Sequence, residues 1–292
     1  METSTSADAF EPVRPRLYGL AYRMLGSRAE AEDVVQDAYI RWHQSDKEVI
    51  RNAEAWLVTT ATRLSIDRLR ALKTEREAYT GPWLPEPIMQ NTPPSPDTHL
   101  ELASDLSIAF LVLLERLGPE ERAAFLLHDV FEFDYPEIAS VLDKSEAACR
   151  QIVHRARTRV RSARHRFEVT EAAKAQLLRT FTDAVKARDE QTLRSLFAPD
   201  ATWTADGGGR TAASPHPIVG ADRIATLVLG LQKRLQSDTA SMELVEVNGE
   251  TGIVVRLEGR ISAILAIETD GERIHAVYAV VNPDKLPGAA DA

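Results

Sequence analysis

The sequence predicts a multidomain protein in which two all-α domains precede a C-terminal α+β domain. Through residues 15–72 and 119–163, apolar side chains recur at spacings of three and four, as they do on amphipathic helices. Residues 81–98 contain six prolines and lack this spacing, which is typical of an extended linker. From residue 241 onward, alternating apolar runs are separated by glycine-containing pairs, which is typical of antiparallel strands.

Length and charge limit what the chain can be. Its 292 residues are enough for two or three domains that each bury a core. The net charge is −9, yet residues 150–166 contain seven arginines and no acidic residue. An acidic protein with one basic helix is expected to repel non-specific DNA. It would therefore depend on a protein partner that brings it to its site.

Several classes of protein are not expected. The single cysteine, Cys149, excludes an intramolecular disulfide. No apolar run is long enough to span a membrane, and the first residues lack the basic start and apolar core of a signal peptide. We therefore expect a cytoplasmic protein with no membrane association, no metal and no cofactor.

Residues 1–80 are predicted to form the first helical domain. One helix covers residues 15–25, and Gly26 ends it. Ser27 and Glu30 then form a capping box for a second helix, which continues to about residue 44. Beside the buried face of that second helix runs an acidic stripe, made of Glu30, Asp33 and Asp37.

A third helix in this domain begins after Asn52, a suitable N-cap, and runs to about Leu72. Its end is positively charged through Arg63, Arg68 and Arg70. Basic side chains of this kind are suited to the capture of a nucleic-acid strand.

The linker, residues 81–98, contains one aromatic side chain that needs an explanation. Trp83 stands among prolines, where no local core can bury its ring. We therefore expect this linker to be anchored on another surface rather than to move freely.

Residues 99–167 are predicted to form a helix-turn-helix domain. After a first helix over residues 99–117, Pro119 opens a helix that runs to about residue 131, and Pro136 opens the next. A tight connection and the N-cap Ser145 then lead into a basic amphipathic helix. Two short helices and a tight turn before such a helix indicate that the last helix enters the major groove.

Five polar side chains on this last helix are the candidate DNA contacts: Arg150, Gln151, His154, Arg155 and Arg157. Arg150 and Gln151 stand near its N-terminal end, where base edges are read, and arginine suits guanine while glutamine suits adenine. Three arginines further along, Arg157, Arg159 and Arg161, are expected to meet phosphates.

Residues 168–292 form the predicted α+β domain. Helices are expected over residues 172–188, 193–197 and 220–235, and a strand over residues 200–204. Four strands follow, over residues 241–247, 251–258, 261–268 and 273–281. The pairs Asn248–Gly249, Gly259–Arg260 and Asp270–Gly271 are the predicted turns between them. Helices followed by a meander of strands predict a curved antiparallel sheet.

Several stretches resemble the extracytoplasmic-function (group IV) sigma factors of the sigma-70 family. Residues 20–39, LAYRMLGSRAEAEDVVQDAY, are similar to sigma region 2.1–2.2, and residues 55–70 are similar to regions 2.3–2.4. The sequence YPEIA at residues 135–139, followed by RAR at residues 155–157, resembles region 4. The resemblance implies an alternative sigma factor that binds core RNA polymerase and directs it to specific promoters.

The resemblance also implies roles for individual residues. Asp33, Gln36 and Asp37 would dock on the polymerase clamp, and region 4 would bind the polymerase flap. Arg63, Arg68 and Arg70 would contact the −10 promoter element, and the basic helix would recognise the −35 element. Many relatives have asparagine at the position of Arg63, so their base preference is not carried over.

The elements after residue 168 resemble the SnoaL-like, cone-shaped fold. Enzymes with that fold place acid–base groups in a pocket, and the candidates here are Asp206, His216, His275 and Tyr278. Three glycines follow Asp206, however, and a simpler interpretation than catalysis is that they allow another segment to approach the backbone closely. Because fold analogy does not establish an activity, we do not expect an enzyme.

Three motifs occur together in one subgroup of these sigma factors, which carries a fused SnoaL-like domain. They are Trp83-Leu84-Pro85-Glu86-Pro87, Asp206-Gly207-Gly208-Gly209-Arg210 and Asn282-Pro283-Asp284-Lys285-Leu286. The resemblance implies that the C-terminal domain regulates the sigma domains in place of a separate anti-sigma protein. We expect the glycine-rich loop to pack against the linker, with the last motif as a second contact.

Two alternatives stay open at this point. One is a bifunctional sigma factor whose C-terminal domain binds or converts a small hydrophobic ligand. The other is an ordinary helix-turn-helix transcription regulator, which would give no reason for the helix at residues 20–42.

Overall fold

The computed structural model describes residues 9–89, 106–163, 169–234 and 240–287. The predicted linker residues 90–98, the helix start at residues 99–105 and the arginines at positions 164 and 166 lie outside the described residues. The chain divides into two compact units. Among the described residues, the first unit comprises 9–77, 106 and 110–163, and the second comprises 78–89, 107–109, 169–234 and 240–287.

Three helices build the first part of unit one: α1 (Arg14–Leu25), α2 (Arg28–Gln44) and α3 (Ala53–Glu77). Their caps are the predicted ones, since Ser27 Oγ accepts from the Glu30 amide and Asn52 Oδ1 accepts from the Ala55 amide. Helix α3 ends five residues beyond the predicted Leu72, because no glycine or proline interrupts the chain before Gly81.

The helix-turn-helix lies in the same unit, apart from residues 108 and 109 at the start of its first helix. It consists of α4 (Ile108–Leu114), α5 (Pro119–Asp129), α6 (Tyr135–Leu142) and α7 (Glu146–Ala163). Asp134, which was not predicted as a cap, is the N-cap of α6, because its carboxylate accepts from the Glu137 amide. Asp143 adopts φ 54° at the tight turn, and Ser145 caps α7 as predicted.

The second unit contains helices α8 (Glu171–Ala187), α9 (Glu190–Leu196) and α10 (Ala221–Arg234). Its strands are β1 (Phe197–Asp206), β2 (Ile218–Val219), β3 (Ala240–Val247), β4 (Glu250–Leu257), β5 (Arg260–Thr269) and β6 (Ile274–Val280). A short 3-10 helix, Pro283–Lys285, follows β6. The core lies between the helices and one sheet face, around Phe181, Trp203, Ile224 and Val277.

The sheet is mixed, and this corrects the predicted antiparallel sheet. Its strand order is β2-β1-β6-β5-β4-β3, in which β3 to β6 form the predicted antiparallel meander. Strand β1, however, pairs parallel to β6. Alternating side chains indicate strands and faces, but they carry no information about the pairing direction of two strands far apart in sequence.

One turn also differs from the prediction. Positive φ occurs at Asn248 and Gly249, as predicted for a two-residue hairpin loop. In the next hairpin the positive-φ pair is Glu258–Gly259 rather than the predicted Gly259–Arg260. The glutamate accepts this conformation because the antiparallel pairing of β4 with β5 on either side determines the turn.

Candidate functional site

Helix α7, which is predicted to read DNA, has one buried side and one exposed side. Cys149, Val153 and Ala156 are fully buried, so they fix the helix against the rest of the helix-turn-helix. Four of the five predicted DNA contacts, Arg150, Gln151, His154 and Arg155, are exposed, and Arg157 is half-buried. The structure therefore brings these side chains together on one helix surface that is available to a ligand.

Acidic side chains neutralise part of this basic surface. Arg157 pairs with Asp129 of α5 at 2.7 Å, and Arg155 lies 3.9 Å from Glu121 of the same helix. Arg150 pairs with Glu146 at 3.1 Å and stands over the Tyr135 ring at 5.0 Å. A DNA phosphate must compete with these carboxylates, which favours sites where several contacts form at once.

The predicted −10 residues on α3 are held by other parts of the first unit. The Arg63 guanidinium donates to the carbonyl oxygens of Val141 (2.9 Å) and Ser140 (2.8 Å), at the end of α6. Arg70 donates to the Glu120 carboxylate of α5 at 2.8 Å, whereas Arg68 pairs with Glu30 of α2. Two of these three arginines are thus engaged with the helix-turn-helix.

A further contact between α1 and the helix-turn-helix was not anticipated from the sequence. Arg122, 2% exposed, donates to the Met24 carbonyl oxygen at 2.6 Å and to Glu115 at 2.7 Å. Arg76 of α3 also pairs with Glu115. The last carbonyl groups of α1 have no partner within their own helix, and arginine satisfies them here. The sequence contained one signal of this contact, which is an arginine inside the apolar pattern of residues 119–131.

The predicted polymerase contacts lie together on α2. Asp33, Gln36 and Asp37 are all exposed. Ala31, Val34, Val35 and Ala38 alternate with them and are buried. The helix therefore packs by one side and presents these three polar groups on the other, where a protein partner can reach them.

In the second unit, one buried carboxylate gathers several groups. Asp206 is fully buried at the end of β1. Its Oδ1 accepts from the Tyr79 hydroxyl at 2.6 Å, and its Oδ2 accepts from the Leu84 amide at 2.8 Å and from Lys285 Nζ at 2.7 Å. Lys285 also donates to the Leu84 carbonyl oxygen at 2.7 Å. Both backbone polar groups of Leu84 are therefore held by the domain.

The other residues of the three motifs surround this centre. Asn282 Nδ2 donates to the Tyr79 hydroxyl at 2.9 Å, and Lys285 Nζ lies 4.2 Å from the centre of the Trp83 ring. Burial, and then the hydrogen bond to Asp206, raise the pKa of Tyr79. The predicted contact between the loop and the linker is thus present in the structure. Its regulatory role remains a prediction.

The glycines of the loop are required because neighbouring residues leave too little room for a side chain. A Cβ on Gly208, where φ is 58°, would overlap the Asn282 amide and stand 2.9 Å from the Tyr79 hydroxyl. On Gly209, at φ 71°, it would stand 3.3 Å from Thr80. Both glycines thus allow the loop to approach the 79–80 segment.

The remaining motif residues differ in exposure. Leu84, Pro85, Pro87, Gly207 and Leu286 are buried, and Glu86 is half-buried. Arg210, Pro283 and Asp284 are exposed, and Arg210 pairs with Asp284 at 3.5 Å. The first group belongs to the packed contact, whereas the exposed ion pair lies at its rim.

A second anchor on the linker was not predicted from the sequence. Asn248 Oδ1 accepts from the Ile88 amide at 2.9 Å, and the Asn248 amide donates to the Ile88 carbonyl oxygen at 2.8 Å. Met89 then forms an antiparallel bridge with Val247. The sequence indicated Asn248 only as a turn residue. Its buried side chain also recognises the backbone of the linker.

The catalytic candidates do not meet in one place. The large cavity of this unit is lined by neither His275 nor Tyr278. His275 lies 2.9 Å from Asp270, Tyr278 donates to Glu268 at 3.2 Å, and His216 is exposed. Despite partial burial, hydrogen bonds from His275 and from backbone amides lower the pKa of Asp270 to about 2.

Two kinds of feature are absent from the described ranges. No group of three or more His, Cys, Asp or Glu side chains there could hold a metal ion. Likewise, none of the helices in that part of the chain has the length and apolar character needed to cross a membrane.

Comparisons with known proteins agree with this architecture. Residues 9–75 match the family model Sigma-70 region 2, and residues 107–160 match Sigma-70, region 4. The chain is 36% identical over 290 residues to the ECF RNA polymerase sigma factor SigJ of Mycobacterium tuberculosis, which covers 96% of this chain and 93% of the relative. It is 28% identical over 281 residues to a probable ECF RNA polymerase sigma factor, SigI, of the same organism, with coverage of 95% and 93%.

A solved structure extends the likeness to the whole fold. The crystal structure of the M. tuberculosis extracytoplasmic function sigma factor SigJ superposes with a TM-score of 0.78 at 36% identity, covering 96% of this chain and 97% of that one. The helical sigma regions are therefore followed by an α+β domain of the predicted SnoaL-like class. An ordinary helix-turn-helix regulator would not contain region 2. The chain belongs to the extracytoplasmic-function sigma factors, which direct RNA polymerase to specific promoters.

Proposed function

We propose that the C-terminal domain controls this sigma factor by holding its linker. The observation that carries the proposal is the fully buried Asp206 carboxylate, which binds the Leu84 backbone and the Tyr79 hydroxyl. A buried carboxylate is retained only where its partners compensate the loss of water. Here two of those partners belong to the segment between the sigma regions.

Chain length explains how such a clamp would act. Residues 78–107 connect α3 to α4, and a fully extended segment of that length could span roughly 100 Å. If residues 79–89 are clamped, their end-to-end distance is fixed, and they no longer contribute variable length to the connection. The clamp therefore limits how far region 4 can move from region 2, a separation that binding both promoter elements requires.

We further propose that the first unit is a closed resting form. Arg63 and Arg70, the expected −10 contacts, are engaged by Ser140, Val141 and Glu120 of the helix-turn-helix. Binding to the −10 element would have to displace these groups. Polymerase and promoter DNA would then shift the population towards an open form by binding that form more tightly.

The domain is proposed to act as a regulator and not as an enzyme. A general base must reach the proton that it removes, and both Asp206 oxygens are occupied by donors of the protein itself. His275 and Tyr278 pair with other acids and do not complete a site around Asp206. Since polymerase and promoters are cytoplasmic in bacteria, the protein is proposed to act there.

Gly208 offers a direct test of the clamp. In Gly208→Ala the new methyl group would overlap Asn282 and crowd Tyr79, so we expect transcription with core polymerase to change at least threefold. Gly259→Ala is the matched control, because Gly259 also has positive φ (78°) but nothing lies within 4 Å of the position that its new methyl group would take. Equal transcription by both variants would contradict regulation through this contact.

The α2 surface is proposed to bind the polymerase clamp. Asp37→Lys should reduce holoenzyme formation at least tenfold, since it reverses charge at an exposed position that is proposed to face basic groups of the clamp. Melting of the free protein should be nearly unchanged, because Asp37 is exposed. A lower melting temperature with intact polymerase binding would show that the carboxylate is structural.

Base reading is proposed for the N-terminal end of α7. Arg150→Ala should lose roughly 1–3 kcal/mol of discrimination at one base step of the −35 element. Arg161→Ala, at an exposed position further along, should weaken binding to all sequences alike and reduce its salt dependence. Binding of a promoter library by each variant separates the two effects. If both variants keep the base preference of the parent protein, Arg150 has no role in base readout.

A further inference from the structure

The C-terminal unit contains a large cavity that the proposed clamp does not use. Its volume is about 910 Å³, within the range of small-molecule sites. It lies between helices α8 and α10 on one side and the sheet on the other, with Phe181, Leu227, Trp203, Val255 and Leu265 among its walls. A space of this size is more than a packing defect, because native cores leave few voids larger than a water molecule.

The chemistry of the cavity wall favours one kind of ligand. Among the described residues that line it, none has a carboxylate or an imidazole, and Lys186, the charged one, is exposed. Most of the polar groups are already engaged by the protein. Ser214 donates to the His216 carbonyl oxygen at 2.6 Å, Ser262 donates to the Val255 carbonyl oxygen at 3.1 Å, and the Gln232 side-chain oxygen accepts from Arg188.

These features define the class of ligand. A charged molecule would lose its hydration and find no buried counter-ion, whereas an apolar one would gain by leaving water. The engaged serine hydroxyls use their donor and can still accept hydrogen bonds. The fitting occupant is an uncharged, largely apolar molecule with one or two hydrogen-bond donors. Without a carboxylate or an imidazole in the described wall, such a molecule would be bound rather than converted.

The cavity wall is continuous with the clamp. Ala205 lines the cavity, and the next residue is Asp206; Val281 lines it, and the next residue is Asn282. The Val281 amide donates to the Asp206 carbonyl oxygen at 2.9 Å, which ties the two positions together. Thr211 to Ser214 also line the cavity and directly follow the glycine-rich loop. Neighbouring residues of the same backbone therefore face the cavity and the linker.

We propose that this cavity binds an uncharged, largely apolar small molecule and that its occupancy alters the hold of the 206–210 loop on the linker. The proposal of a binding site depends only on the cavity. The proposal of coupling depends in addition on the proposed function of the clamp. A ligand that pushes the 205–214 segment outward would change the geometry of the groups around Asp206, since they share that backbone.

Binding is tested with the full-length protein and two fluorescent probes. N-phenyl-1-naphthylamine is uncharged, and 1-anilinonaphthalene-8-sulfonate has a similar ring system with a negative charge. We expect saturable binding of the uncharged probe at one site, at least tenfold tighter than the anionic one. Ala263→Phe, which fills the cavity, and Leu231→Arg, which places a charge at a 37% exposed wall position, should each weaken it at least tenfold.

Ala266→Phe is the matched control, because Ala266 is on the same strand as Ala263 and does not line the cavity. It should bind the probe like the parent protein, and thermal melting confirms that each variant is folded. Absence of saturable binding by the parent, or equal binding by all variants, would overturn the site. Equal affinity for both probes would overturn the assignment of an uncharged ligand.

Coupling is read separately, by hydrogen exchange of the peptide that spans residues 79–88. Saturating uncharged probe should change the exchange rate of the Leu84 amide, which donates to Asp206, at least threefold. Unchanged exchange in the presence of a bound probe would overturn the coupling and leave the site intact. Neither readout uses transcription, so this result is independent of whether the clamp regulates the sigma regions.

Discussion

Asp206→Ala is expected to destabilise the C-terminal unit by roughly 3–5 kcal/mol, the range for removal of one partner from a buried ion pair. The substitution leaves the Lys285 ammonium, 8% exposed, without its carboxylate. It also removes the acceptor from the Leu84 amide and the Tyr79 hydroxyl. Chemical denaturation followed at the C-terminal unit measures this loss, and promoter-driven transcription should change with it.

Two companion variants separate the buried charge from the general effect of mutation. Asp206→Ala combined with Lys285→Met should be more stable than Asp206→Ala alone, because the unpaired buried cation is gone. Asp284→Ala, which breaks the exposed pair with Arg210, should cost about 1 kcal/mol or less. A double variant less stable than Asp206→Ala would show that the ion pair is not the source of the loss.

Trp83 should be coupled energetically to Asp206. The ring and the carboxylate both contact Lys285, at 4.2 Å from the ring centre and at 2.7 Å. In a double-mutant cycle of Trp83→Ala with Asp206→Ala, the two transcriptional effects should therefore not add. Strictly additive effects would leave no direct coupling between loop and linker.

Arg122→Met is expected to open the first unit. Arg122 joins the Met24 carbonyl oxygen of α1 to Glu115, and methionine keeps the apolar stem but loses both hydrogen bonds. The Nε atom of Arg122 is buried without a hydrogen-bond partner among the described residues, so Arg122→Met also removes an unsatisfied donor. We therefore expect a moderate cost of about 2 kcal/mol, within the range for hydrogen bonds to charged groups.

The measurement is the distance between labels at Glu75 on α3 and Asp143 before α7, both exposed. A cost of about 2 kcal/mol corresponds to a roughly 30-fold shift towards the open form. That shift should lengthen the distance and increase polymerase binding. Arg116→Met is the control, because Arg116 is an exposed arginine of the same region. An unchanged distance with reduced stability would restrict Arg122 to stabilising its own helix.

Local signals were sufficient for most elements. Ser27, Asn52 and Ser145 were recognised as N-caps because capping joins groups only three residues apart. The hairpin at Asn248–Gly249 followed from the same kind of local preference. Where local preference competed with strand pairing, as at Glu258, the predicted turn lay one residue too far along the chain.

The candidate sites divide in the same way. Family motifs indicated Asp206, Trp83 and Asn282, and the glycine-rich loop indicated a close approach to another segment. Tyr79 and Asn248 carried no sequence signal for their roles, because their partners lie 127 and 160 residues away. Arg63 was expected on DNA, and the structure places it on the carbonyl groups of Ser140 and Val141.

By itself, the sequence determined most of the helices, three of their caps, the four strands of the meander and the family. Those properties depend on side-chain periodicity and on interactions between near neighbours in the chain. Only the tertiary structure decided the parallel pairing of β1 with β6, the partners of Asp206 and the packing of α6 against Arg63. Each of these joins distant segments through at least one backbone group, and nearly all residues have the same backbone groups, so the sequence does not mark which ones will meet.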